Sequence, residues 1–400
     1  MAFGPGSVFI HAFSLISPRG SVDLKKMFLS SEIYESIYTP GIIGSFEVID
    51  TDDILGEFKV SGDEIVEFSF NPPGGENKTF NFNLNSVVDV TQEGSMKSRI
   101  YKLSCVTKEA FDARANHVTK SYNTQISSMV EDIFKTYLKS SKPITVEATK
   151  GIQKFLTNNK KPFTVIKELV NRAISTENKS SLYLFFENNK GFSFVTMQKL
   201  LDGSIIKYLK RVDTTGTSII QEVDNNILKF KLTRQGSAID RIGLGSLNTQ
   251  SNIFDIRTRK FETKNSTPKE NDYGILGQLS SSVFKSLFGK TPGQSIFITK
   301  DIIKPETFID QHAGDKRAYL AAMTQLQLDI EVYGDTKLHA GGVVFCDIPK
   351  SAAFTNLGSD SQVYGKFMIT KLAHVIRRAD VSPRYINSME LVKAGLENGV

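Results

Sequence analysis

From residue 7 to about 107 the chain alternates apolar and polar side chains with a period of two. GSFEVID, GEFKV, DEIVEFSF, KTFNFNLNSVV and SRIYKLSCVT are rich in aromatic and β-branched residues. Such alternation turns one face of an extended strand inward and leaves the other in water. NPPGGENK, residues 71 to 78, breaks the pattern with its prolines and glycines and predicts a long turn. Strands at this spacing are expected to form a sandwich or barrel. SEIYESIY, residues 31 to 38, fits either one short helix or an irregular crossing.

After Thr107 the period changes. Ile126, Met129, Val130, Ile133, Phe134, Tyr137 and Leu138 recur at steps of three and four, which predicts an amphipathic helix. Val165, Ile166, Leu169, Val170, Ala173 and Ile174 predict a second helix, with Thr164 as its N-cap and Pro162 closing the turn before it. SLYLFFENNKGFSFVTM then places two β-runs around Asn188, Asn189, Lys190 and Gly191, residues that tolerate the left-handed region, and so predicts a hairpin. Strand character returns from about Ser218 to Leu244. The stretch from Phe261 to Ser295 is rich in Gly, Ser, Asn, Thr and Lys and reads as an insertion or long surface loop. A helix from Asp315 to about Gln325 is expected to lead into the strands LQLDIEVYGD, VVFCDIP, GKFMITKLAHVIRR and RYINSMELVKAG. The two ends share a motif, because GDEIVEFSF precedes SRIYKLSCVT as GGVVFCDIP precedes KFMITKLAHVI.

Composition supports a strand-rich, folded chain. Among 400 residues there are 28 Phe, 12 Tyr, 29 Gly and no Trp, with 40% apolar and 23% charged residues; these values exclude wholesale disorder and allow more than one core. Cys105 and Cys346 are the only cysteines, which excludes a disulfide framework and a Cys-based zinc site. VFIHAFSLI has no basic residue before it and reads as a first strand rather than a signal peptide, and no stretch approaches the roughly 18 apolar residues of a membrane span. The formal net charge is +6, but its Lys and Arg are dispersed. Short clusters such as Arg257, Arg259 and Lys260, or Lys207, Lys210 and Arg211, read as solvated surface rather than a nucleic-acid patch.

KLHAGGVVFCDIP holds candidate chemistry, because His339, Cys346 and Asp347 lie close in sequence. An extended chain at about 3.3 Å per residue puts His339 and Cys346 roughly 20 Å apart and sends Cys346 and Asp347 to opposite faces. The stretch therefore reads as a glycine turn entering a buried strand. Gly289, Lys290 and Thr291 resemble the end of a phosphate loop, but Phe284 stands where the earlier glycine is needed and Pro292 follows; Gly243 and Gly245 lack their third glycine, Asn248 standing there. Asp50, Asp52 and Asp53 fail as a calcium loop because Ile54 and Leu55 occupy required positions, and they read as exposed turn carboxylates. His11, His117, His312, His339 and His374 never fall at metal-ligand spacing, and His374 reads as a strand residue. No HExxH or GxSxG occurs, and nothing singles out a pair of acids for glycoside cleavage. No residue is assigned a catalytic, cofactor-binding or metal role, no cofactor is expected, and interface residues stay unassigned. A scaffold or interaction protein is the reading that remains.

Several ordered segments carry a resemblance. DLKKMFLSSEIYESIYTPGIIGSFEVIDTDD, GDEIVEFSF and SRIYKLSCVT, then KPFTVIKELVNRAI with SLYLFFENNKGFSFVTMQKLL, then KRAYLAAMTQLQLDIEVYGDTKLHAGGVVFCDIP and KFMITKLAHVIRRAD resemble the central hub proteins of contractile phage baseplates, known best from T-even-like phages. The region from about 261 to 312 matches least. The resemblance implies a mainly β fold with inserted helices, of the α+β kind, with two tail-tube-like antiparallel barrels and intervening domains. It places the first barrel at 1–107, a mixed α/β domain at 108–203, a discontinuous second barrel at 204–260 and 315–400, and an insertion at 261–314. It further implies a non-enzymatic homotrimer whose six barrels ring a channel and adapt the six-fold tail tube to the three-fold spike. The expected partners are the central spike protein, tail tube proteins, other baseplate components and, without sequence readout, phage DNA in the channel. The expected place is the virion tail baseplate, after folding in the host cytoplasm. Two alternatives stay open: a hub or spike protein of a type VI secretion or contractile-bacteriocin apparatus, and a tail-associated cell-wall hydrolase.

Overall fold

The computed structural model describes residues 4–92, 98–177, 180–211, 223–235, 249–256, 258–266, 294–300, 316, 320, 326–349, 363–379 and 382–393. The first region holds β1 (Phe9–Ser17), β2 (Gly20–Asp23), β3 (Phe28–Ser36), β4 (Ile43–Asp50), the one-turn helix α1 (Ile54–Glu57), β5 (Ile65–Asn71), β6 (Lys78–Thr91) and β7 (Arg99–Thr107). The middle region holds α2 (Lys108–Ala115), β8 (Val118–Thr124), α3 (Ile126–Thr136), β9 (Ile144–Val146), β10 (Gln153–Lys160), α4 (Pro162–Arg172), β11 (Tyr183–Asn188), β12 (Gly191–Thr196) and α5 (Met197–Leu201). The last holds β13 (Ile205–Lys210), β14 (Ile227–Gln235), β15 (Thr249–Asp255), β16 (Lys260–Ser266), β17 (Gln294–Lys300), β18 (Leu326–Tyr333), β19 (Val343–Asp347), β20 (Gly365–Arg377) and β21 (Arg384–Lys393). The chain is mainly β with inserted helices, as expected.

One large sheet runs β14-β18-β21-β20-β3-β4-β7-β6-β5-β1-β2, with β13 and β19 branching from β20. It curls into two closed circles that share the β20–β21 hairpin. In the first, Ser7 bridges Arg384, Val8 N–H donates to Pro383 O at 3.2 Å and Tyr385 N–H donates to Gly6 O at 2.7 Å, so β1 meets β21. In the second, Lys210 bridges Asn226 and brings β13 to β14. β20 serves both circles from one edge: Val343–Cys346 pair with Gly365–Met368, while β3 pairs with Lys371–Arg377. The register of β20 on β21 shifts between Ile369 and Lys371, at the changeover from one circle to the other.

Each circle encloses its own core. The first is aromatic: Phe46 and Phe68 lie 5.1 Å apart, Phe13 and Phe46 5.4 Å, and Phe13 meets Phe68 edge-on at 5.6 Å. Ile376 and Tyr385 of the shared hairpin complete it. The second is aliphatic, built on Leu328, Ile330, Val332, Ile369, Leu372 and Leu391, with Cys346 among them. β18 shows why the sequence folds this way, since Leu326, Leu328, Ile330 and Val332 all turn inward and the residues between them outward.

In the middle region α3 and α4 pack on the β11–β12 hairpin through Met129, Val130, Ile133, Val165, Ile166 and Leu169. The helices stand where the periodicity put them, but α3 ends at Thr136 before Tyr137 and Leu138, α4 ends at Arg172 before Ala173 and Ile174, and Thr164 does not cap α4. That helix begins at Pro162 with Lys161 before it, because proline's fixed φ and missing N–H suit the first helical position. The hairpin turns on Asn189 and Lys190, with Asn188 opposite Gly191. Gly191 has φ +126, and a Cβ there would lie 2.4 Å from Pro143 O.

Other expectations are corrected. SEIYESIY belongs to strand β3 and its exit, central in the sheet between β4 and β20. Asp50 is buried, not exposed: it accepts N–H bonds from Asp52, Ile54 and Leu55 and the Tyr101 hydroxyl, which fixes the turn into α1. Asp52 and Asp53 are exposed. The sequence motif shared by the two ends joins unlike strands, since β6 separates β5 from β7 whereas β19 pairs directly with β20. β15, β16 and β17 form a separate small sheet. Most of the helix expected at 315–325 lies outside the described residues, within which Lys316 and Leu320 are helical. Gly243, Gly245, Asn248 and Gly289–Thr291 also lie outside them.

Candidate assembly surface

His339, Cys346 and Asp347 do not converge on a reactive site. Gly341, with φ +83, turns the chain into β19. Cys346 is fully buried in the second core, where burial pushes its thiol up to about 12, so no thiolate is available near neutral pH. His339 is held against Asn188 and the Ala340 carbonyl, and burial first of all pushes its imidazole below the usual range. Cys105 lies in the first core. Among the described residues no group of His, Cys, Asp or Glu is placed to hold a metal ion, and no helix is long and apolar enough to cross a membrane.

The buried polar groups join regions. Glu35 on β3 accepts Asn189 N–H at 2.9 Å from the middle hairpin and Ala340 N–H at 3.0 Å from the turn before β19. His374 Nε2 lies 3.4 Å from the same carboxylate. Asn387 Nδ2 lies 3.0 Å and the Tyr385 hydroxyl 2.6 Å from His374 Nδ1, so the ring's other nitrogen faces Glu35. One carboxylate therefore ties the first barrel, the middle region and the second barrel together.

A second junction is ionic. Glu187, at the end of β11, accepts Ile42 N–H at 3.2 Å and the Thr107 hydroxyl at 2.6 Å, both from the first barrel, and pairs with Lys142 at 2.5 Å. Lys142 also binds Glu109 at 2.7 Å. Burial pushes the Glu187 carboxyl up and outweighs the nearby ammonium. For Glu109 burial acts upward too, but Lys142 and Ser140 outweigh it and hold the carboxyl below its usual range. Sequence reasoning missed Glu35 and Glu187. For Glu187 the signal was an acid on the inward parity of an otherwise apolar strand, Tyr183-Phe185-Glu187, whereas in Ser31-Ile33-Glu35 the inward serine hid it.

The outer face of the large sheet carries polar pairs on both barrels, with Ile43, Ile65, Val90, Tyr208 and Phe230 exposed among them. Lys371 pairs with Glu390 at 2.8 Å, Lys102 with Asp89 at 3.0 Å and Lys229 with Glu331 at 3.4 Å, and Ser30 donates to Glu47 at 3.0 Å. Exposed pairs contribute about 0–1 kcal/mol each, so this ladder sets surface character more than stability. Where the barrels join, a shallow cleft of 420 Å³ is lined by Tyr34, Ser36, Lys231, Asp329, Lys371 and Ser388. A second cleft, of 660 Å³, lies between Gly4–Ser7, the Pro72–Gly75 turn and Gly334–Lys337.

No family model matches the chain. A protein described as probable baseplate hub protein gp334, from Vibrio phage KVP40, is 22% identical over 271 residues, covering 63% of this chain and 62% of the relative. The match thus spans about three fifths of that relative's length. The tail protein from Neisseria meningitidis MC58 has the same overall fold, with a TM-score of 0.60, 9% identity and coverage of 96% of this chain and 97% of that one. The prophage MuSo2 43 kDa tail protein from Shewanella oneidensis gives 0.57, 9%, 96% and 98%. The chain is similar to a phage baseplate hub protein in sequence and to tail proteins in fold, as its ordered segments implied.

Proposed function

We propose that this chain is the central hub of a contractile phage baseplate, a non-enzymatic homotrimer that adapts a six-fold tail tube to a three-fold spike. The observation that carries this reading is the pair of closed barrels welded through one hairpin. Two barrels fixed in one chain let three copies present six near-equivalent units, which reconciles the two symmetries without a separate adaptor. The buried junctions at Glu35 and Glu187 hold the pair rigid, as a load-transmitting ring requires. Similarity to a phage hub protein supports the same reading.

In this role one rim of the ring contacts tube proteins, the other the spike, and the outer edges other baseplate components. The opening passes DNA, and any contact with it is a salt-dependent attraction to phosphates rather than base readout. The chain folds in the host cytoplasm and ends in the virion tail baseplate. The test is the solution mass by light scattering, alone and with the spike protein of the same genome. A mass of three chains of 44.5 kDa and rings in negative-stain images are expected. A monomer in both samples overturns the reading.

A further inference from the structure

The middle region carries a sheet of two strands only. β8 and β10 pair with each other, from Gln153 opposite Thr124 to Thr157 opposite Lys120, and among the described residues neither pairs with a third strand. The inner face of this ribbon is fixed. Val118, Tyr122 and Phe155 are buried in the core shared with α3 and α4, Arg172 lies over the Phe155 ring at 5.1 Å, and the Tyr122 hydroxyl donates to Asp132 at 2.8 Å. The outer edge of each strand is left as a row of backbone N–H and C=O groups without a strand partner.

β10 lacks most devices that blunt such an edge. Its register shifts only after Thr157, where Asn159 has φ +51, and no proline interrupts residues 153–157, so these stay regular over roughly 16 Å. Strand alternation turns Lys154 and Leu156 outward. Leu156, at 71% exposed, is the most exposed large apolar side chain among the described residues. The charge around it has one sign, because residues 148–167 hold five Lys and no acid. Lys160 is paired with Glu168 at 2.6 Å, whereas Lys154 and Lys161 stand exposed.

This chemistry selects among occupants. A second β10 edge would set lysines against their own copies, which is costly. A bilayer cannot satisfy the unpaired backbone groups of an open edge. Nucleic acid is held on single strands by stacking on aromatic rings, and Tyr122 and Phe155, the aromatic residues of the two strands, are buried. An extended peptide supplies both donors and acceptors, and acidic side chains on it meet the lysines. We propose that the β10 edge docks an extended acidic segment of a partner protein, which adds to the ribbon as a third strand and covers Leu156. Such docking does not depend on the ring reading and holds for a single chain.

The test is a peptide array tiled across the proteins of the same genome, probed with the full chain and with its Lys154→Glu form, which is first checked for a wild-type melting curve. Bound peptides are expected to be acidic with alternating apolar residues, and Lys154→Glu is expected to weaken them at least about tenfold. Charge attraction alone would give the same loss, so a bound peptide is then made with N-methyl groups on alternate residues. Methylation in one phase is expected to abolish binding and in the other phase to leave it intact, because only every second N–H faces β10. No bound peptide, equal binding by Lys154→Glu, or indifference to both phases overturns the docking. Phosphatidylglycerol vesicles or a single-stranded oligonucleotide that bind wild type and not Lys154→Glu, where no acidic peptide binds, assign the lysines to lipid or nucleic acid and overturn it too. None of these outcomes bears on the solution mass, which tests the hub reading separately.

Discussion

The two barrels close on the same hairpin yet are filled differently. The first circle runs through β1, β5, β6, β7, β4, β3, β20 and β21, and its interior is packed with Phe13, Phe46, Phe68, Phe70, Phe82 and Tyr101. The second runs through β13, β19, β20, β21, β18 and β14, and Phe367 is the one aromatic among the buried residues of its core. Barrel diameter grows with strand number, so the wider circle needs rings where the narrower is filled by Leu, Ile and Val. The middle hairpin grips the two in different ways as well. Glu187 holds the first through buried charge. Its neighbours hold the second through neutral amides, Asn188 on Ala340 O and Asn189 on Thr336 O and Leu338 O.

Removing a ring from the wide core breaks the comparison hardest. Phe68→Ala is expected to cost about 3–5 kcal/mol, and Leu328→Ala in the narrow core about 2–5, measured by denaturant unfolding. Because the hairpin is shared, both variants are expected to melt in one transition; separate transitions would show that the barrels are independent. Glu35→Ala comes next, at about 2–4 kcal/mol, because it strands the buried N–H groups of Asn189 and Ala340. Asn189→Ala is smaller, about 1–2 kcal/mol, and its cost is expected to be unchanged between pH 4 and 8.

The ionic grip, by contrast, carries a pH signature. Glu187 holds its proton more tightly folded than unfolded, so its contribution is complete below its usual value of 4.5 and is lost as pH rises above it. Glu109 is shifted the other way, so its contribution is present above 4.5 and is lost as pH falls through its lowered value. Relative to wild type, Glu187→Gln is therefore expected to gain stability with rising pH and Glu109→Gln to lose it. Slopes of the same sign in pH-resolved unfolding would remove the assigned roles.

Local periodicity made the middle region legible. The stripes of α3 and α4 and the Asn-Lys turn at 189–190 stand where the pattern placed them, since each depends on neighbours within a few residues. The inward polar residues Ser31 and Glu35 blurred the alternation of β3 and hid it as a strand. Asp50 misled because its partners are backbone N–H groups, which leave no trace in side-chain type. The hairpin shared by both barrels was illegible for the same reason at longer range: pairing Ser7 with Arg384 is a property of the backbone. At the candidate surface, Lys207, Lys210 and Arg211 stood out as a small cluster, but only the fold pairs Lys207 with Asp335 and sets Arg211 on the Ile227 and Leu228 carbonyls.

That pairing of Ser7 with Arg384 also sets the order of events during synthesis. The strand that opens the first barrel leaves the ribosome early, but the hairpin that closes it is among the last described residues to emerge. Until then the Phe-rich interior has no lid and the outer edges of β1 and β3 lack β21 and β20, so the nascent chain is expected to depend on chaperone protection until that hairpin emerges. A chain cut short before Arg384 leaves both barrels open. Incomplete products would therefore reveal themselves by failing to fold.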